Sequence, residues 1–201
     1  GEGDKGKNTG GMGAYSPSRL INKSLEEKIL NKIIKPTLKG LSKSGIKYKG
    51  FLYAGLMIIK NEPFLIEYNV RMGDPECQTI LPTLNSDILN IFLACVNQKL
   101  NKVRFKWSLK KSLCVVLCSK GYPDNYKKNI EIQNIKKIKI NQNNFLFHAG
   151  TKKIANKIFA VGGRVLNFVS TSNNFKKARL KIHRNIKKLN WKNGFYRKDI
   201  A

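Results

Sequence analysis

Acidic residues are what this 201-residue chain has least of: 12 Asp and Glu stand against 39 Lys and Arg, a formal net charge of +27. Against that background, any local cluster of carboxylates is informative. Histidine is limited to His148 and His183, and both read as structural. The four cysteines, Cys77, Cys95, Cys114 and Cys118, include no pair with the two-residue spacing of a zinc or dithiol redox motif. Cys114 and Cys118 lie four apart in LCVVLC, so on a strand they share a face and act as small buried hydrophobes. No apolar run approaches the roughly 18 residues of a membrane span. Neither a secretory signal nor a lipidation motif is visible, so the expected compartment is the cytoplasm. No repeat occurs at a solenoid period.

What is present suits a globular chain. Hydrophobic residues make up 41%, with ten Phe, seven Tyr and two Trp, enough to build a core in one domain or two small ones. The positive charge is spread rather than clustered. Lys occurs with Asn and Ile throughout, as in NIEIQNIKKIKINQNN, and all three have A/T-rich codons. That pattern points to compositional drift on tolerant surface, with nonspecific, salt-sensitive adsorption to nucleic acid as its main consequence.

Residues 1–18 read as a Gly-rich loop closed by Pro17. Ser24 and Glu27 form a capping box for a helix carrying Leu25, Ile29, Ile33 and Ile34, which Pro36 should disturb. YKGFLYAGLMII and Phe64 to Asn69 predict an antiparallel hairpin turning at KNEP. Ser86 is expected to cap a helix reaching about Leu100. A second, mostly β unit begins near Lys110, with SLCVVLCS as a strand, Gly162-Gly163 as a hairpin turn or bulge, and Phe175 to Leu189 as a basic amphipathic helix. Trp107 and Trp191 read as packing anchors. The expected division is residues 1–108 and 109–201.

The chemistry concentrates in EYNVRMGDPECQ, residues 67–78. Glu67 and Asn69 are two apart on the predicted strand, so a carboxylate and an amide oxygen project from one face. Mg²⁺ in nucleotide enzymes takes one or two such oxygen ligands and leaves its other positions to phosphate and water. Arg71 falls on the same face if the strand persists, where a guanidinium can grip a phosphate or carboxylate. Gly73 permits a tight path into Asp74 and Glu76, two more acids for an amine or a metal. Three of the chain's 12 acidic residues thus fall within ten positions. The loop NTGGMGAYSP adds backbone N–H groups that suit an anionic ligand.

GDKGKNTGGMGAYSP, LYAGLM, EYNVRMGDPECQ, VVLCSKGYP, FHAGT, VGGRVL and FYRKDI, in this order, resemble the phosphoribosylamine-glycine ligases, also called glycinamide ribonucleotide synthetases. The resemblance spans nearly the whole chain. It implies an α+β fold: the second half of an ATP-grasp domain, an antiparallel sheet with packed helices, followed by a small, mostly β C-terminal domain with one helix. It also implies an ATP-dependent ligase of de novo purine synthesis that joins glycine to 5-phosphoribosylamine through a glycyl phosphate. On this resemblance Glu67 and Asn69 hold Mg²⁺ (or Mn²⁺) and Arg71 is the catalytic group at the transferring phosphoryl. Gly10, Gly11, Met12, Gly13 and Ala14, with Asp74 and Glu76, shape the substrate site.

Two positions depart from the family pattern: Cys77 stands where Thr is expected, and Lys198 where Arg is expected. The resemblance also implies that the chain matches only the C-terminal half of such an enzyme. Most ATP contacts would then come from an N-terminal half, which a separate gene could encode, and the run 67–78 would be one wall of an active site. The alternative is a basic nucleic-acid-binding module on a decayed enzyme scaffold.

Overall fold

The computed structural model describes residues 1–201. The chain begins with strand β1 (Gly13–Ser16), helices α1 (Lys23–Ile29) and α2 (Lys35–Lys43), strands β2 (Tyr53–Ile59) and β3 (Glu62–Asn69), and helices α3 (Glu76–Ile80) and α4 (Ile88–Val96). Then come β4 (Lys111–Ser119), β5 (Ile130–Glu131), β6 (Asn144–His148), β7 (Thr151–Ile154), β8 (Lys157–Ala160), β9 (Arg164–Ser172), α5 (Phe175–Ile186) and β10 (Gly194–Phe195). Helices with antiparallel sheets give the expected α+β class. No helix is long and apolar enough to cross a membrane.

Packing divides the chain into two units, each discontinuous in sequence. One comprises Gly1–Ser16, Asp74–Thr83 and Ser108–Ala201; the other comprises Pro17–Gly73 and Leu84–Trp107. The run EYNVRMGDPECQ is therefore shared between them, with the break at Gly73/Asp74.

The first unit is organised on β4. Its five-stranded sheet has the order β1-β4-β9-β6, and β10 also pairs with β4. Because successive strand residues point to opposite faces, β4 feeds two cores. Leu113, Val115 and Leu117 join Val165, Phe168 and the buried stripe of α5: Phe175, Ala178, Ile182 and Ile186. Their spacing is helical, and each large apolar side chain so buried contributes about 1.5–3 kcal/mol. Cys114, Val116 and Cys118 enter the opposite cluster with Met12 and Val169. The shared face expected for the two cysteines is observed. Asn174 starts α5 by accepting a hydrogen bond from Lys177 N at 2.8 Å, and Trp191 is buried as expected.

Gly162 and Gly163 do not form a hairpin, because β8 belongs to the three-stranded sheet β5-β8-β7 and β9 to the five-stranded one. They serve a close crossing between sheets: a Cβ on Gly150 would sit 2.6 Å from Gly162 Cα.

In the second unit Asn22, not Ser24, caps α1, accepting from Leu25 N at 2.9 Å. Helical backbone already begins at Lys23, so Ser24 lies inside it. Pro36 does not end the helix. A π-helical turn, Leu30–Ile34, precedes it and leads into α2. Such a turn relieves the donor and steric defects that proline brings to an α-helix. The hairpin turns at Lys60-Asn61, both with positive φ (49° and 62°), the two-residue geometry that matches strand twist. β3 therefore starts at Glu62, before the expected Phe64, and includes Pro63, which a two-stranded sheet tolerates because every strand is an edge. Asp87 caps α4 through Leu89 N (2.8 Å) and Asn90 N (3.3 Å), whereas Ser86 Oγ accepts from Lys106 N. Trp107 is 48% exposed, so it is not the buried anchor its type suggests.

Burial pushes the Cys118 thiol up to about 12 and the Cys114 thiol higher still. A thiol reagent at neutral pH should therefore label at most Cys77 and Cys95 in the native chain, and all four after denaturation; four fast native thiols would contradict this packing. Lys28 and Lys32 on the helical segment both bond Glu62, Lys32 at 2.8 Å, and these bonds hold its carboxyl down at about 2 from the usual 4.5. A depressed carboxyl stabilises the fold above its unfolded value, and the contribution is lost as pH falls from about 4.5 to about 2. Acid titrations should show Glu62→Gln removing a small, salt-screened component in that window.

Candidate functional site

On β3, Glu67 and Asn69 project from one face, and Glu67 Oε1 accepts a hydrogen bond from Asn69 Nδ2 at 2.9 Å. Two local features put the carboxylate there. The hairpin register shifts between Gly55 and Leu56: Gly55 pairs with Glu67 while Leu56 pairs with Leu65, leaving Ile66 as a bulge. Bulges re-aim the side chains beside them. Gly55 itself clears the space, since a Cβ there would lie 3.1 Å from Glu67 Cγ.

Glu67 is exposed and Asn69 half-buried. Turning the Asn69 amide by about 180° exchanges its nitrogen for its oxygen, so the pair would then offer two oxygens to one cation. No group of three or more His, Cys, Asp or Glu side chains is placed to hold a metal. A carboxylate–amide pair is instead the sparse donor set that suits Mg²⁺ or Mn²⁺ completing its shell with phosphate and water.

Arg71 is not on that strand face, because β3 ends at Asn69. Its exposed guanidinium donates one bond, from Nη1 to Met72 O at 2.9 Å, and keeps its other donors.

In the other unit the loop Gly10 to Ala14 and Asp74 are brought together by a residue with no role assigned from sequence. Arg164, first in β9, donates from Nη1 to Gly11 O (3.1 Å) and Asp74 O (2.6 Å), and from Nη2 to Asp74 Oδ2 (2.8 Å). Gln78 Nε2 donates to Asp74 Oδ1 at 2.9 Å. Gly10 N donates to the Tyr122 hydroxyl at 3.1 Å. Side chains are excluded at two positions of this loop: a Cβ on Gly11 would stand 2.5 Å from Pro75 Cδ, and one on Gly13 2.8 Å from both Cys114 O and Ile200. Met12 anchors the loop, with its side chain in the Cys114–Cys118 cluster and its carbonyl accepting from Val116 N at 3.0 Å. Ala14 pairs with Cys114, and Glu76 opens α3 half-buried. At Cys77, burial first and neighbouring Asp74 second push the thiol up.

Beside the loop, residues 4–13 with Gly1, Arg197 and Ile200 line a cleft of about 400 Å³. Its far rim is fastened by Arg197, which binds Asp199 at 2.6 Å and Asp4 at 2.9 Å. The Arg197 guanidinium, and then Gly3 N, hold the Asp199 carboxyl well below the usual carboxylate range. At Lys198 the contact comes from the backbone, whose N–H donates to Glu2 at 3.0 Å, so an Arg side chain is not needed for it. The histidines stand apart, His148 against Thr151 Oγ1 at 3.0 Å and His183 against the Tyr196 ring.

Sequence reasoning missed Arg164, Tyr122 and Gly55. Each sits in a segment that carries the resemblance (VGGRVL, SKGYP and LYAGLM), but a sequence cannot show that a guanidinium reaches a carbonyl 153 positions away.

Comparison with known proteins gives two family-model matches: the phosphoribosylglycinamide synthetase ATP-grasp (A) domain over residues 1–77 and the C domain of the same synthetase over residues 112–201. A phosphoribosylamine–glycine ligase from Caldanaerobacter subterraneus is 45% identical over 200 residues, covering 100% of this chain and 47% of the relative. One from Vigna unguiculata is 44% identical, covering 97% of this chain and 64% of the relative. The crystal structure of the Thermotoga maritima phosphoribosylamine–glycine ligase matches with a TM-score of 0.82 at 33% identity, over 100% of this chain and 49% of that one. The chain thus spans about half the length of most of these relatives. With two family models in the expected order and a shared fold along its whole length, the chain belongs to the phosphoribosylglycinamide synthetase family.

Proposed function

We propose that the chain supplies part of the active site of an ATP-dependent ligase joining glycine to 5-phosphoribosylamine, yielding glycinamide ribonucleotide, ADP and phosphate in the cytoplasm. The observation that carries this reading is the Glu67–Asn69 pair, 2.9 Å apart at the end of β3, in a chain of this family. The division at 108/109 is supported by the gap between the two family matches, 1–77 and 112–201.

In the reaction a glycine carboxylate oxygen attacks the γ-phosphorus of ATP, and the bond to ADP breaks. The amine nitrogen of phosphoribosylamine then attacks the glycyl carbonyl carbon, the bond to phosphate breaks, and the amine proton passes to water. Glu67 and Asn69 would hold Mg²⁺ or Mn²⁺, which neutralises phosphate charge when bound. Arg71 meets the transferring phosphoryl with the donors it keeps, and such catalysis is positioning plus charge neutralisation. Gly10 to Ala14 with Asp74 and Glu76 shape the glycine and phosphoribosylamine site. The remaining ATP contacts come from family sequence outside these 201 residues, in a longer polypeptide or a separately encoded N-terminal half. The +27 charge draws in anionic substrates and binds nucleic acid only nonspecifically.

Mixing the chain with a recombinant N-terminal half should give glycine-dependent ADP formation that neither half shows alone. No activity at any ratio would defeat the reading. In the active mixture, Glu67→Gln or Arg71→Ala should lower kcat by about 10²–10³-fold, the cost of removing one charge-stabilising group. Gly55→Val should mimic Glu67→Gln by displacing the carboxylate, with far-UV circular dichroism unchanged.

A further inference from the structure

We propose that Arg164 is the positioning residue of the substrate loop, fixing Gly10–Gly11 and Asp74 as one unit that receives the amino substrates. The proposal rests on the function given above. Three features set Arg164 apart from an ordinary surface cation. Its side chain is 24% exposed and spends three hydrogen bonds on two segments, 153 and 90 positions away in sequence. It springs from β9, which is paired along its length with β4, so the fork is mounted on a strand of the central sheet rather than on a loop. Its neighbours are shaped for the contact. A Cβ on Gly10 would lie 3.2 Å from the guanidinium carbon and 3.1 Å from the Tyr122 hydroxyl, while one on Gly163 would strike the Tyr122 ring at 2.3 Å. Gly163 thus lets Tyr122 lie flat against the backbone and reach Gly10 N.

The fold itself does not need this guanidinium. The β4–β9 ladder is made by backbone, and the core beneath it by Leu113, Val115, Val165 and Phe168. What Arg164 determines is the place of Asp74, held at both its carbonyl and its carboxylate. A guanidinium is permanently charged and offers its donors in a rigid plane. Arg164 takes one lone pair of Oδ2 and Gln78 one of Oδ1, and the two left over can accept N–H groups of an incoming amine or ammonium. Lysine would preserve the charge but cannot span three acceptors with a planar fork.

The test is steady-state kinetics of Arg164→Lys in the chain completed by the N-terminal half, with Glu67→Gln alongside. Arg164→Lys should raise KM for glycine and phosphoribosylamine by about 10- to 100-fold, the penalty of misplaced positioning groups, while KM for ATP stays within about twofold. Glu67→Gln should instead act on kcat. Equal changes in all three KM values, or a lowered melting temperature with unchanged KM values, would overturn the assignment. An inactive wild-type mixture would overturn the functional reading and the assignment with it, whereas an active mixture indifferent to Arg164→Lys would overturn the assignment alone. Should Arg164→Lys fail to fold, Gly10→Ala reads the same contact from the loop side, and the same selective rise in KM is required of it.

Discussion

Burial of β4 on both faces is the constraint on which the first unit depends. From Ser112 to Ser119 no residue of this strand is more than 4% exposed, so its alternate side chains must satisfy two different environments. One face builds the core under α5. The other, smaller in side chains and lined by cysteines, accepts Met12 and α3, and so seats the glycine loop and Asp74. β1 and β10 share one edge of β4 and β9 takes the other. The glycine loop is thus an extension of the central sheet, held by the same backbone ladder that holds the core. Small thiols on that face serve as spacers, and their raised pKa values are the by-product of being used for packing.

The second unit depends on a different device, a hairpin whose register is broken once. The bulge at Ile66 and the bare Gly55 opposite Glu67 give an exposed carboxylate a fixed place beside an amide two residues on. A regular hairpin with a side chain at position 55 would crowd it.

Much of this was legible in the sequence, for identifiable reasons. The unbroken apolar run in SLCVVLCS and the 3.6-residue spacing in α5 report burial directly, so β4, its cysteine face and α5 follow from pattern. Glu67 and Asn69 were placed correctly on one face because they share a strand. Local competition between caps was not legible: Asn22 and Asp87 do the work that Ser24 and Ser86 seemed suited for, since the choice depends on where the chain enters the helix. Pro36 reads as a disturbance of the helix, and the form it takes, a π-turn before the proline, has no composition signature. Arg71 shares the face of Glu67 and Asn69 only if the strand persists, and nothing in NVRMG says that the ladder ends at Asn69. Arg164 and Tyr122 were invisible as site residues, since their importance lies in long-range hydrogen bonds to backbone that any sequence could receive.

The central claim is that Glu67 and Asn69 form the cation site of a family ligase. Paramagnetic broadening by Mn²⁺ tests it most directly, using ¹⁵N-labelled chain combined with the N-terminal half and ATP. The account predicts that substoichiometric Mn²⁺ broadens the Asn69 side-chain amide and the backbone amides of Tyr68 and Val70 first, and that Glu67→Gln abolishes this. Broadening that begins instead around Asp4 and Asp199, or that ignores Glu67→Gln, would contradict it.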